Sequence, residues 1–151
     1  MEIRIDTKEI RQALQKAQRT LGNLSPIMAN VAQLMRRTVE KNFDAEGRDE
    51  MGRTKIWKPL APSTQKQRAR YKGEAYAEHP ILEYKGRLKQ SINTAHGKDF
   101  AQVYTGVRYG VYHQVGTRKM PARPFMVMPK SDLAEIRDYI AQRIEQEIVR
   151  R

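Results

Sequence analysis

Apolar residues recur along the chain with two periods, and the places where the period changes outline the predicted elements. In "EIRID", Ile3 and Ile5 share one face, as in a short edge strand. Asp6 or Thr7 can then cap a helix, with Glu9 three residues after Asp6 as in a capping box. Ile10, Leu14, Ala17, Leu21 and Leu24 follow at spacings of three and four, which predicts an amphipathic helix ended by Gly22. Ser25-Pro26 reads as an N-cap with Pro at the first helical position. The helix after it, running to about Phe43, carries Ile27, Met28, Val31, Leu34, Met35, Val39 and Phe43. That set is wider than one stripe, as expected of a core helix or of one that also touches a partner subunit.

From 44 to 80 the periodicity disappears. Gly47, Gly52, Pro59, Pro62, Gly73 and Pro80 punctuate this stretch, which reads as a long loop. One short basic helix, over roughly 63–71 and capped by Ser63, interrupts it. A loop this long in a small domain is functional or disordered, and Trp57 and Leu60 are expected to pin part of it to the body. "ILEYKGRLKQSINTAH" begins as a helical turn and becomes a strand near 88–94. Gly97-Lys98 supplies a turn, and "FAQVYTGVR" returns with Val103, Thr105 and Val107 alternating against Gln102, Tyr104 and Arg108. This predicts an antiparallel hairpin. "FMVM" is predicted as a last short strand, and Ser131-Asp132 as the cap of a final helix with Leu133, Ile136, Ile140, Ile144 and Ile148 on one face. The fold class is therefore α+β: a small antiparallel sheet against two N-terminal helices and a C-terminal helix, with a long basic loop.

Length and charge narrow what such a fold can serve. At 151 residues the chain reads as one domain, able to bury roughly 70% of its unfolded surface. Within it, 1–43 holds the first strand and helices, 44–80 the basic loop or arm, and 81–151 the sheet and last helix. The net charge of +12 is unevenly spread. Residues 1–50 hold nine basic and eight acidic side chains, and residues 131–151 hold four and five. Residues 51–130 hold sixteen basic and four acidic ones, so the whole excess lies mid-chain. A surface of that kind favours anionic partners, nucleic acid or the acidic face of another protein.

The chain has no Cys, which excludes disulfides, thiolate metal sites and a Cys nucleophile and fits a reducing compartment. Its longest apolar candidate, "IMANVAQLM", is broken by Asn30 and Gln33 and falls short of the roughly 18 residues of a membrane span. "MEIRIDTKEI" alternates and is charged, unlike a secretion signal. A soluble cytoplasmic product without membrane contact is expected.

Candidate chemistry is sparse. His79, His96 and His113 sit on separate segments without metal-ligand spacing, and His113, beside Tyr109 and Tyr112, has no sequence-local carboxylate to orient it. The acidic run "DAEGRDE" lacks the spacing of a calcium loop and reads as solvated surface. Gly106, Gly110 and Gly116 do not build a phosphate loop, and no Ser or Thr sits in a nucleophile motif. No catalytic residue, metal or cofactor is expected. The basic arm comprises Arg53, Lys55, Lys58, Lys66, Arg68, Arg70 and Lys72, interleaved with Trp57 and Tyr71. Such a pattern can grip phosphates and stack bases. Without a recognised nucleic-acid-binding signature, non-specific nucleic-acid contact by the 53–72 loop stands as the alternative function. A small nuclease or hydrolase, with His113 as its essential residue, is a third class with little support.

The stretch "YGVYHQVGTRKMPARPFM", 109–126, carries the most information. Its aromatic-rich turn, its His ahead of a Gly and its "PARPF" box before a final helix resemble the phage virion morphogenesis (tail completion) family, typified by the Mu-like G protein. A related pattern occurs in head–tail joining proteins of long-tailed phages. "WKPLAPST" in the basic loop and "ILEYKGRLKQSI" agree with the resemblance, which covers nearly the whole chain in order. Lys85-Gly86 departs from the Thr-Gly common in the family.

The resemblance implies a stoichiometric assembly protein of a phage or prophage, not an enzyme, acting in tail completion or head–tail joining at the neck or head-proximal tail end. It implies other tail and neck proteins as partners and a homo-oligomeric ring, with a hexamer as the size considered. It also implies residence in the host cytoplasm during assembly and then in the virion. The basic arm would order against acidic neighbours or lie near the DNA path. Physically the box suits such a role, although it can also be read as merely shaping one connection. Pro121 and Pro124 fix φ and remove two donors, so Arg123 is held on a stiff turn to pair with a carboxylate of a neighbour or of its own fold. Gly116-Thr117 permits a reversal, and Phe125 returns to the core. The expected interface is Tyr109, Tyr112, His113, Gly116, Thr117, Pro121, Arg123, Pro124 and Phe125.

Overall fold

Two N-terminal helices, a three-stranded sheet and a long C-terminal helix share one apolar core in the computed structural model, which describes residues 2–4 and 8–150. Strand β1 (Glu2–Arg4) leads to helices α1 (Lys8–Leu21) and α2 (Ser25–Asp44). Ile5, Asp6 and Thr7 lie outside the described residues, as do the side chains of Ile3, Glu9, Ile10 and Leu14. Ala17 and Leu24 are buried, in keeping with the predicted apolar face of α1. Gly22 at φ 77° ends that helix, a left-handed conformation that costs glycine nothing.

Helix α2 is the spine of the molecule. Ile27, Met28, Val31, Ala32, Met35, Val39 and Phe43 are all buried on it, because one side of the helix lies on the sheet and another meets α6 (Lys130–Val149). The wide apolar set is thus used within the chain. Ser25 is not its cap: the capping position falls on Leu24, and Asn23 Oδ1 accepts from the Ser25 N–H at 2.9 Å. Proline still occupies the first turn, where a missing N–H costs nothing.

The sheet has the order β1-β3-β2, all antiparallel. Strand β2 (Ile92–His96) and strand β3 (Ala101–Thr105) form the predicted hairpin, closed where Gly97 N donates to Phe100 O at 3.0 Å. Ala101, Val103 and Thr105 point inward while Gln102 and Tyr104 are half-exposed, the alternation that a one-sided sheet requires. The strand starts later than the sequence pattern suggests, because 87–90 form a helical turn, α4 (Arg87–Gln90), that buries Leu88.

Segment 44–80 is folded against the body. Lys55 N donates to Ala45 O and Trp57 N to Glu46 O, which draws 45–57 into a closed loop. Gly47 at φ 100° is required there, since a Cβ would stand 2.5 Å from the Trp57 ring. Trp57 and Leu60 are buried as predicted. The Phe43 ring meets Trp57 edge-on at 5.7 Å and Phe125 at 5.4 Å, so the helix, the loop and the "PARPF" box converge on one aromatic cluster. Each such ring pair adds about 0.5–1.5 kcal/mol to simple burial. The basic helix is α3 (Pro62–Lys72), and its capping position is Ala61, not Ser63. The "DAEGRDE" run is bonded rather than merely solvated: Glu46 accepts from Ile81 N and contacts His79, and Asp44 pairs with Lys89.

Two further expectations fail near the C-terminus. "FMVM" is not a strand, and Ser131-Asp132 lie inside the first turn of α6, whose capping position is Pro129. Along α6, Ile136 and Ile140 are buried and Leu133 and Ile144 half-buried, but Ile148 is exposed.

Candidate functional site

The 109–126 stretch is an elbow built around a helix that sequence periodicity did not reveal, α5 (Gly110–Val115). Six residues are too few to display a helical period. Gly110 is buried, and a Cβ on it would press on Leu88, Thr105 and Phe125. After α5 the chain reverses at Gly116, whose φ is 77° and whose Cβ would stand 2.8 Å from Ala122 N. Thr117 N donates to Met120 O at 2.9 Å, and Arg123 N donates back to His113 O at 2.6 Å.

Side chains from distant elements hold the rest of the box. Gln114 Oε1 accepts from Phe125 N at 3.1 Å and Met126 N at 3.0 Å. Asn42, fully buried on α2, donates to Phe125 O at 2.7 Å and Val127 O at 2.9 Å. These bonds occupy the groups a strand would offer to a ladder, which explains the missing strand at 125–128. Asn42 Oδ1 in turn accepts from Arg48 Nε at 2.8 Å, and Arg48 forks onto Asp132 at 3.1 and 2.8 Å. Burial disfavours the Asp132 charge, but hydrogen bonds from Arg48 and Thr38 with the Arg48 and Lys41 charges outweigh it and hold its pKa below the usual value.

Arg123 turns into its own fold. Its guanidinium donates to Lys58 O at 2.8 Å and Pro59 O at 2.7 Å, and the residue is buried. The expected carboxylate partner is replaced by two backbone carbonyls. Pro124 O accepts from Trp57 Nε1 at 2.8 Å, so Pro124 and Arg123 bind the elbow to the 44–61 loop.

The expected interface residues therefore divide in two. Arg123 and Phe125 are buried, while His113, Gly116, Pro121 and Pro124 are half-buried supports. Tyr109, Tyr112 and Thr117 are exposed, and with His113 and Met120 they line a shallow depression of about 250 Å³. Two residues that sequence reasoning missed, Val111 and Val115, are 44% and 67% exposed on α5. Three large apolar or aromatic side chains of one short helix, and Tyr109 at its capping position, thus face solvent, a density that marks contact surfaces more than ordinary monomer exterior. The missed signal was the Val111–Val115 spacing of four.

The basic arm also divides. Arg53, Lys55, Lys58, Lys66, Arg70 and Lys72 are exposed, whereas Trp57 and Arg68 are buried and belong to no free arm. Arg68 donates to Pro80 O at 2.8 Å, with its guanidinium 5.4 Å from the centre of the Tyr84 ring. Lys72 bonds the Tyr84 carbonyl and lies over the same ring at 4.7 Å. Among the histidines, His79 has Glu46 at 2.8 Å, a carboxylate partner that the sequence alone did not reveal. His113 stacks edge-on against Tyr109 at 5.9 Å, and its Nδ1 is buried without a hydrogen-bond partner among the described residues. Burial, and then the Arg123 charge, keep its pKa below the ordinary imidazole value. Among the described residues no three His, Asp or Glu side chains converge as a metal site needs. No helix among them is long and apolar enough to cross a membrane.

Comparison with known proteins agrees with the resemblance carried by the elbow. Residues 5–145 match the phage virion morphogenesis family. The Mu-like prophage FluMu G protein 1 of Haemophilus influenzae is 30% identical over 139 residues, covering 91% of this chain and 90% of that protein. FluMu G protein 2 of the same organism is 27% identical over 144 residues, covering 90% of each. No solved structure matches. The chain belongs to the phage virion morphogenesis family.

Proposed function

We propose that this virion morphogenesis protein completes the tail or joins it to the head, binding stoichiometrically at the neck or the head-proximal tail end. The observation that carries the reading is the outward face of α5, where Tyr109, Val111, Tyr112 and Val115 lie exposed on an elbow fixed from three directions by Gln114, Asn42 and Arg123. A rigid support lowers the ordering cost of association, and aromatic side chains are the usual anchors of interfaces. On this reading α5 meets a second copy of the chain in a ring or a neighbouring tail protein, and the work is binding without turnover. The protein gathers in the host cytoplasm and ends in the neck or tail of the virion.

The test is complementation of a prophage deleted for this gene, with particles viewed by electron microscopy. The deletion should give separate heads and unfinished tails, and the wild-type chain should restore particles. Val111→Asp with Val115→Asp should leave the fold intact, by circular dichroism, and fail to restore them. Normal infectious particles from the deletion would sink the tail reading; restoration by the double variant would remove α5 from it.

A further inference from the structure

A second feature, which adjoins the exposed face of α5 at Tyr109 and His113, lies between α3, α4 and the inner side of the elbow. It is a groove of about 780 Å³, within the roughly 300–1,000 Å³ of ordinary ligand sites. Leu60, Leu82, Leu88, Met120 and Pro121 give it apolar walls. Its charged lining is of one sign: Lys58, Lys85, Arg87 and Lys119 are exposed around it, Arg68 and Arg123 are buried in it, and no Asp or Glu takes part.

The two buried arginines are the informative part. Both bond to backbone carbonyls, and among the described residues neither has a carboxylate at ion-pair distance. Burial lowers the pKa of each; interactions with Tyr84 and Glu46 oppose this only in part at Arg68, and the charge of Arg68 lowers that of Arg123 further. A desolvated cation with no counter-ion in contact costs free energy that neutral carbonyls and a more distant charge offset only in part, and apolar walls strengthen its field. An arriving carboxylate would relieve that cost, while apolar side chains beside it would cover the leucines.

We propose that this groove receives an extended acidic segment of another virion protein, its apolar side chains against Leu60, Leu82 and Leu88 and a carboxylate at Arg68 and Arg123. The partner rests on the tail-assembly reading; the docking chemistry does not. A nucleic acid fits less well, because the Tyr84 ring already has Arg68 and Lys72 against it and is less open to stack a base. A second copy seated in this groove fits less well too, since the lining is cationic throughout and the chain offers it 29 basic against 17 acidic side chains.

The experiment uses the full chain and a fluorescein-labelled peptide of about ten residues alternating Glu with Leu and Phe, followed by fluorescence polarisation at physiological salt. Lys85→Glu with Arg87→Glu, both exposed, should weaken binding about ten-fold, the scale of losing two charge contacts. Lys98→Glu with Arg137→Glu makes the same change of net charge elsewhere on the surface and should weaken it less than about two-fold. No binding, equal weakening by both pairs, or displacement of the peptide by an oligothymidylate of the same length would overturn the proposal. So would self-association of the wild type that the Lys85/Arg87 variant abolishes. If the peptide fails to bind while the gene deletion still leaves tails unfinished, the groove inference falls alone. If the peptide binds but the deletion yields normal particles, a tail protein is the wrong occupant and the proposal falls as stated.

Discussion

Replacing Asn42 with Ala should cost about 3–5 kcal/mol of folding stability, although Asn42 lies on a helix and touches no expected interface residue except Phe125. Asn42 is fully buried, donates to Phe125 O and Val127 O, and accepts from Arg48 Nε. Alanine leaves two carbonyls and one guanidinium N–H stranded. Each buried group without a partner costs about 1–3 kcal/mol, and the sum is trimmed because Arg48 keeps Asp132 and Thr38 O. In a chain of this length each kcal/mol moves Tm by roughly 2–4 °C, so the midpoint should fall by about 10 °C. Urea unfolding followed by circular dichroism gives the free energy, and an unchanged slope would show that the compact state persists. Asn42→Asp keeps the shape and the oxygen facing Arg48 but turns the amide donor into a second acceptor against two carbonyls. It should destabilise at least as much at neutral pH. A loss below about 1 kcal/mol in Asn42→Ala, or an Asn42→Asp protein as stable as the wild type, would refute the idea that side chains replace a strand ladder at 125–128.

Trp57, the only tryptophan, should emit from a buried environment in the native protein and shift to the red at the same urea midpoint as the helices; an exposed, quenchable native Trp57 would mean that 44–80 is a free arm. Trp57→Phe removes the bond to Pro124 O at 2.8 Å and should cost about 1–2 kcal/mol in the same assay. Asp132 has its pKa lowered in the fold, so its stabilisation is complete at neutral pH and is lost as pH falls below the usual carboxylate range through the folded value. The Tm gap between wild type and Asp132→Asn should therefore be widest near neutrality and close toward acid, and a gap that widens on acidification contradicts the pairing with Arg48. Gly116→Ala forces a side chain into left-handed backbone and against Ala122 N, which should cost about 1–3 kcal/mol; a neutral result would show that the elbow can open there.

Much of the scaffold was legible because it is written locally. The three- and four-residue spacing of apolar side chains gave α1, α2 and α6, and the alternation of Val103 and Thr105 against Gln102 and Tyr104 gave β3. The Pro and Gly positions gave the loop, and Trp57 and Leu60 were rightly singled out as its pins. The elbow's family signature was also local, a run of residues recognisable without coordinates.

Tertiary structure decided the rest, because the determining partners lie far apart in sequence. "FMVM" reads as a strand by composition, yet Asn42 and Gln114 take its backbone groups first. Arg68 reads as part of a basic arm and Arg123 as a partner for a carboxylate, until the carbonyls of Lys58, Pro59 and Pro80 claim them. The helix caps lie one to three positions from the expected residues, and Asp132, a candidate cap, is instead held by Arg48. Hydrophobic periodicity reports which face of an element is buried, but it carries nothing about which polar group meets which. In this chain those long-range polar contacts bury two cations and leave α5 outside.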